Sequence, residues 1–399
     1  MLDTIQDVPV IASADLETDP HGTLRRYRAS HPLAALESGG YIVLGYEDVS
    51  RLARDPRLQS TEVALPAQAG LSQGALFDIF AHGMLTANGG VHQARRSPMS
   101  RALAGEVAEE YGRHVRRSAH LLIDRCLADS KMELVKQYAA PLPALGLAGL
   151  LGVPDGEVAP FLRDIDAMNA FFRPDATAAT VSSAEKAAAQ VRSSIGLLID
   201  CEGDDQTGGF LQHYVRLAES EPLHARVETL TQIVQLIIGG TESVRTAIVA
   251  QTANLLANPQ QWQAVRDNPE RVPAAVAEAM RFEPGIAGLV RLSAEDIEIE
   301  GRTLPVGQVV VLSVMSALRD ERIFDRPDTF DIFRRDHEPS QLGFGDGAHR
   351  CVAEALGRAA LQEALSVLAE RLPHLRLEQP PVFCGHVFVR GSTECRVSW

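Results

Sequence analysis

A single thiol closes a run that is otherwise short of side chains. Residues 342–351 read LGFGDGAHRC, with Gly343, Gly345 and Gly347 at alternate positions, then His349, then Cys351. A helical pattern, VAEALGRAALQEALSVLAERL, follows the cysteine directly. The start of a helix presents free N–H groups and partial positive charge. Both favour a thiolate over a thiol. Glycines allow a flat, bulky ligand to lie against the backbone. Two plainer readings compete. Alternating glycines resemble a phosphate loop, but that loop follows a strand, and RRDHEPSQ before it is not strand-like. A free cysteine is often just a small buried apolar side chain, which leaves the glycines and the histidine unexplained.

Four other segments carry groups able to do chemistry. VHQARR places His92 and Arg96 four residues apart, on one helix face. LVRLS carries Arg291, and EAMR places Glu278 and Arg281 on a shared helix face. GGTESV at 239–244 puts two glycines, an acid and an alcohol inside a helical pattern. Glycine there costs about 0.5–1 kcal/mol relative to alanine, so it needs a reason. Taken singly, each has a bland alternative: a solvated basic face, a surface ion pair, a polar turn of helix.

A thiolate facing a flat ligand points to an axial ligand for haem iron. FGDGAHRC at 344–351 resembles the Phe-Gly-x-Gly-x-His-x-Cys signature of cytochrome P-450, the haem-thiolate monooxygenases, whose iron is held by cysteine. The resemblance implies haem b as cofactor, with Cys351 as the iron ligand, Phe344 and Gly345 beside it, and His349 on a propionate. It implies propionate contacts from His92, Arg96 and Arg291, and arginine's planar fork suits carboxylates. It reads Glu278 and Arg281 as a buried structural pair joined by Arg334 of FDIFR. It assigns oxygen activation to Gly240, Glu242 and Ser243. Ser243 departs from the usual threonine, keeping the hydroxyl but losing the methyl and its rotamer restraint. Gln341 is a smaller departure, where related sequences often have histidine.

The implied substrate pocket contains Gln68, Phe77, Phe80, Met84, Phe171, Phe172, Leu236, Ile286, Ala287, Val290, His386 and Phe388. Such an apolar, aromatic set suits a small molecule, although each phenylalanine alone reads as plain core. The implied reaction is hydroxylation or O-dealkylation by dioxygen and two electrons. Oxidative C–C or C–N coupling, for instance of cyclic dipeptides in secondary metabolism, is the alternative, and a non-catalytic haem-binding protein is the second. The electrons would come from a ferredoxin or flavodoxin with its NAD(P)H reductase. Arg95, Arg96, Arg101, Arg350 and Arg358 are expected to form its basic docking patch.

These groups need a scaffold. LAALESGGYIVLGY (33–46) reads as a hairpin about Gly39-Gly40, then YEDVSRLARDP as a short helix, and 60–90 as loop. Residues 91–284 are mainly helical, and 227–257 form a long central helix stopped by Pro259. Strand patterns cover 288–317, and a final hairpin has its turn near Gly391. The expected fold is therefore mainly α, the cytochrome P-450 fold with small peripheral sheets. It forms a single domain over 1–399, with a β-containing part from about 1–60 and 285–399 and a helical part from about 91–284.

Composition narrows the setting. A net charge of −14 argues against general nucleic-acid binding. Cys126, Cys201, Cys351, Cys384 and Cys395 are odd in number and scattered, as in a reducing cytoplasm. The polar, acidic start lacks a signal-peptide pattern. No run of ~18 apolar residues stands out, so no membrane span is expected.

Overall fold

The computed structural model describes residues 8–68, 70–172, 176–201, 209–221, 224–336 and 338–399. Helices dominate, and the largest core is built around Arg226–Ala257. That helix has 32 residues, about 48 Å at 1.5 Å per residue. Ile233, Val234, Leu236, Ile237, Ile248 and Val249 are all buried along it. It packs against Pro141–Leu151, Ala178–Asp200, Val272–Phe282 and Glu354–Arg371. Among the described helices it alone is long and apolar enough to cross a membrane, but 67% of its apolar window is buried inside the protein. Its apolar surface is used in the core.

A six-stranded sheet ties the two ends of the chain together. Its order is Val10–Ile11, Leu33–Leu36, Tyr41–Val43, Val309–Leu312, Leu289–Ser293 and Leu58–Gln59. The 33–43 hairpin forms with Leu33 opposite Val43, and its turn uses Gly39 and Gly40 at φ 102° and 80°. Tyr41–Val43 then pairs in parallel with Val309–Leu312.

The structure departs from the sequence expectations in four places. The 60–90 stretch contains helices, Ala64–Gln68 and Ala75–Ala81. Glu185 caps the second one, accepting from Ala75 N at 2.6 Å and Leu76 N at 2.9 Å, a tertiary contact that local sequence does not reveal. The strand run ends at Leu312, because Ser313 caps a helical turn at Val314–Ala317. The last helix begins at Glu354 and not at Cys351. In the final hairpin Cys384 faces Gly391, so the turn spans 385–390 and begins at Gly385 with φ 81°.

Glu278 is the hub that holds the segment leading to the cysteine loop. Glu278 and Arg281 are both 0% exposed. Arg281 Nε donates to Glu278 Oε2 at 2.7 Å and its Nη2 to Oε1 at 2.9 Å. Arg334 Nε donates to Oε2 at 2.8 Å, and Asp331 N to Oε1 at 2.8 Å. Arg281 also donates to the carbonyls of Leu318, Pro327 and Thr329. Replacing the carboxylate leaves the fully buried Arg281 guanidinium without its anion, while Arg334 keeps Asp336. Glu278→Ala should therefore cost about 3–5 kcal/mol in urea unfolding. Arg25→Ala, which breaks an exposed pair with Asp328, should stay within about 1 kcal/mol.

Candidate active site

The cysteine loop is built by its own backbone. Cys351 N donates to the Phe344 carbonyl at 2.8 Å, and Gly345 N to the Leu342 carbonyl at 2.8 Å. Gly345 and Gly347 sit at φ 75° and 70°, where a side chain is strained. Gly347 has a further reason to be glycine, because an added Cβ would stand 2.3 Å from the Ala53 carbonyl oxygen. Packing on the preceding domain segment, and not approach of a ligand, explains that residue. Phe344 lies against Gly357 and beneath the Arg358 guanidinium, 4.7 Å from its ring centroid.

The cysteine differs from its sequence-based expectation in one respect. Cys351 is exposed at the surface of the site, yet desolvation by the surrounding protein pushes its thiol up, and Glu354 adds to this, while the Ala353 N–H, Arg96 and Arg350 oppose it. The Ala353 N–H, at the N-cap of the following helix, favours the thiolate but does not outweigh desolvation.

Beside the cysteine, four donor groups converge. The rings of His92 and His349 are 4.1 Å apart. Arg96 Nη2 donates to the Arg350 carbonyl at 2.6 Å. Arg291 is 8% exposed, and among the described residues its guanidinium bonds only the Val290 carbonyl, at 2.9 Å. Burial, followed by His92, Arg291 and Arg96, pushes His349 down to about 3. His92 is lowered by burial and by the same two arginines, and burial lowers Arg291 to about 10. Among the described residues no carboxylate acts on any of the four. Such a set lacks an anion, and a ligand with paired carboxylates complements it.

On the central helix, Ser243 Oγ donates to the Gly239 carbonyl at 2.9 Å. Open space surrounds the Gly239 Cα, whereas a Cβ on Gly240 would stand 3.2 Å from Leu147 Cδ1. Of the two glycines expected to leave room against the helix, Gly239 faces open space and Gly240 also approaches Leu147 of the neighbouring helix. Glu242 Oε2 pairs with Arg245 Nη2 at 2.5 Å. The sequence reading missed Arg245, although its spacing of three from Glu242 was a signal. It also missed Asn169, whose Nδ2 donates to Thr241 Oγ1 at 2.8 Å.

The expected pocket residues separate into groups. Phe80, Phe171 and Phe172 form an aromatic cluster with centroids 5.2–6.1 Å apart. Phe80, Met84, Phe171 and Leu236 are buried, Phe77, Phe172, Ile286 and His386 are half-buried, and Phe388 is 40% exposed. Ala287 is 0% exposed and packs with Ile11, Met315 and Val311, so it belongs to the sheet core and not to a pocket. Val290 pairs with Val311 and Arg291 with Val310. Alternation along the strand therefore turns Val290 to the face opposite Arg291, away from the donor quartet. The Gln68 side chain lies outside the described residues.

The expected basic patch is smaller than five arginines. Arg95 turns inward to the Ala81 and Gly83 carbonyls. Arg96 belongs to the donor quartet, and Arg101 pairs with Glu221 at 3.6 Å. Arg350 and Arg358 remain, both bonded to Glu354.

The chain is similar to known proteins along most of its length. The Cytochrome P450 family profile matches residues 210–382. The chain is 32% identical to the plant-inducible cytochrome P450-pinF1 of Rhizobium radiobacter over 98% of this chain and 93% of that protein. It is 32% identical to nocardicin C N-oxygenase of Nocardia uniformis subsp. tsuyamanensis over 90% and 89%. The crystal structure of CalO2 superposes with a TM-score of 0.88 at 26% identity, covering 97% of each chain. The chain belongs to the cytochrome P450 family, whose members use haem b and a redox partner to oxidise small molecules. The residues present fit that cofactor, since the donor quartet lacks two carboxylates and the Cys351 thiol lacks a cation.

If the quartet is held only by its missing anion, deleting one charge should not weaken the empty chain. Arg291→Met is expected to leave the haem-free protein at least as stable in urea unfolding. A loss above about 1 kcal/mol would mean that Arg291 has a structural partner within the chain.

Proposed function

We propose that this chain is a haem-thiolate monooxygenase that inserts oxygen into an apolar or aromatic small molecule, by hydroxylation or O-dealkylation. In this reading Cys351 binds the iron, and His92, Arg96, Arg291 and His349 bind the propionates. The observation that carries it is the donor quartet beside Cys351, with His92 and Arg291 buried and Arg96 and His349 half-buried, on which no carboxylate acts among the described residues. Haem b, when bound, supplies reductive activation of dioxygen, with two electrons and two protons giving one inserted oxygen atom and one water.

The chain's own residues do the rest. Arg96 and Arg291 orient the cofactor through charge-assisted hydrogen bonds. Ser243 holds its hydroxyl proton at Oγ, directed to the Gly239 carbonyl, and leaves its lone pairs to accept another proton. Glu242 stands one residue away as the carboxylate that passes protons inward, and Arg245 holds it. Phe80, Met84, Phe171, Phe172 and Leu236 exclude water and present apolar surface to the substrate. A ferredoxin or flavodoxin, itself reduced through NAD(P)H, delivers the electrons at Arg350 and Arg358, in the cytoplasm. The retained Glu242 and Ser243 favour oxygen insertion over passive haem carriage, which needs no proton relay.

The quartet's role is testable through the cofactor itself. In Arg96→Met and Arg291→Met, haem should pass to an excess of a haem-scavenging protein about ten-fold faster or more, since a hydrogen bond to a charged group contributes about 1.5–3 kcal/mol. Unchanged transfer rates in both variants would refute the clamp. In Ser243→Ala, a larger share of the NAD(P)H consumed should appear as hydrogen peroxide.

A further inference from the structure

The end of the helix Ala75–Ala81 and the turn after it have an unusual hydrogen-bond arrangement. The last carbonyls of any helix lack partners within it. Here side chains from elsewhere take nearly all of them. The Ile79 carbonyl accepts from Gln235 Nε2 at 2.8 Å, and the His82 carbonyl from Gln232 Nε2 at 2.8 Å. The Ala81 and Gly83 carbonyls accept from Arg95 Nη1 at 3.1 and 3.2 Å. The same two glutamines also serve the N–H groups beyond the turn. Met84 N donates to Gln232 Oε1 at 2.7 Å and Leu85 N to Gln235 Oε1 at 3.0 Å.

Each glutamine thus uses both ends of its amide on one short segment. Gln232 is 0% exposed and Gln235 6%. Their backbone lies in the apolar central helix, where an unpaired amide costs about 1–3 kcal/mol. Opening the segment would leave the Gln235 amide and the Gln232 Oε1 without these partners, while Gln232 Nε2 would keep the Glu228 carbonyl at 2.9 Å. Arg95 is anchored in turn by Glu228, 3.5 Å away in the first turn of the same helix. Downstream, Ser60 Oγ donates to the Leu85 carbonyl at 3.2 Å and Ser60 N to Asn88 Oδ1 at 2.8 Å.

We propose that Gln232, Gln235 and Arg95 form a clasp that fixes residues 79–85, and with them Phe80 and Met84, against the central helix before any ligand arrives. These three are positioning residues, and the wall they hold sets which ligands enter. The inference rests on the reading of Phe80 and Met84 as pocket lining given above. Its consequence is selection by fit. Phe80 is locked beside Phe171 and Phe172, with centroids 6.1 Å away in each case, so the enzyme accepts ligands shaped to that cluster and does not remodel around others.

The test uses holoprotein carrying Gln232→Met and Gln235→Met, which keep side-chain volume and remove the amides. Amide hydrogen exchange over residues 76–88 is expected to quicken about ten-fold or more, while protection of 244–257 stays unchanged and reports an intact fold. Stopped-flow binding of 4-phenylimidazole, followed by haem absorbance, is expected to speed by a similar factor. Unchanged exchange over 76–88 overturns the clasp. Faster exchange with unchanged 4-phenylimidazole kinetics overturns its control of entry. Phe80→Ala then separates the two claims: altered 4-phenylimidazole affinity leaves the pocket reading standing without the clasp, and unaltered affinity removes both. If the double variant does not accumulate with haem, Gln235→Met alone carries the same comparison.

Discussion

Charge that the chain cannot neutralise by itself is the constraint on which the site depends. His92 and Arg291, both buried, meet half-buried Arg96 and His349 where, among the described residues, no carboxylate acts on them. Burying a cation without a partner costs several kcal/mol, so the empty chain carries an electrostatic penalty there. Next to them, desolvation holds Cys351 toward the neutral thiol. One group with a cationic centre and two peripheral carboxylates relieves both conditions at once. The family's cofactor has that distribution of charge, which links the folding of the site to its loading.

The rest of the fold keeps these groups in register without the cofactor. Glu278 gathers Arg281, Arg334 and the Asp331 N–H into one buried hub, which fixes the stretch leading to Glu338–Phe344 and the cysteine loop. The six-stranded sheet sets Arg291 through its pairing with Val310. The central helix positions three functions along one axis. Gln232 and Gln235 face the 79–85 segment, Gly239 and Ser243 make the turn with open space, and farther along Gln251 Nε2 donates to the Leu361 carbonyl at 3.0 Å, on the helix that follows the cysteine.

Much of this was legible in the sequence because it is local. The hairpin about Gly39-Gly40, the long central helix and the helical middle all follow from short-range pattern. The cysteine signature located the loop through residues seven apart at most. What escaped was set by tertiary contact. The helix Ala75–Ala81 depends on Glu185 for its N-terminal cap. Val290 is oriented by the pairing of its strand with Val309–Leu312, and Ala287 by backbone bonds with Phe388 and Met315, none of which the local sequence reveals. Arg95 reads as a surface cation beside Arg96, yet the free carbonyls at the end of Ala75–Ala81 draw it inside. The raised thiol of Cys351 was hidden for a related reason, since helix-start chemistry is local and desolvation is not.

The central claim is that Cys351 becomes a thiolate on the haem iron. The most direct measurement is the absorbance spectrum of the reduced, carbon monoxide-bound protein, taken for the native chain and for Cys351→Ala reconstituted with haem. The account predicts a strongly red-shifted Soret band in the native protein and its disappearance in Cys351→Ala, with haem still bound through the donor quartet. A red-shifted band that persists in Cys351→Ala, or one absent from well-folded native holoprotein, would contradict it.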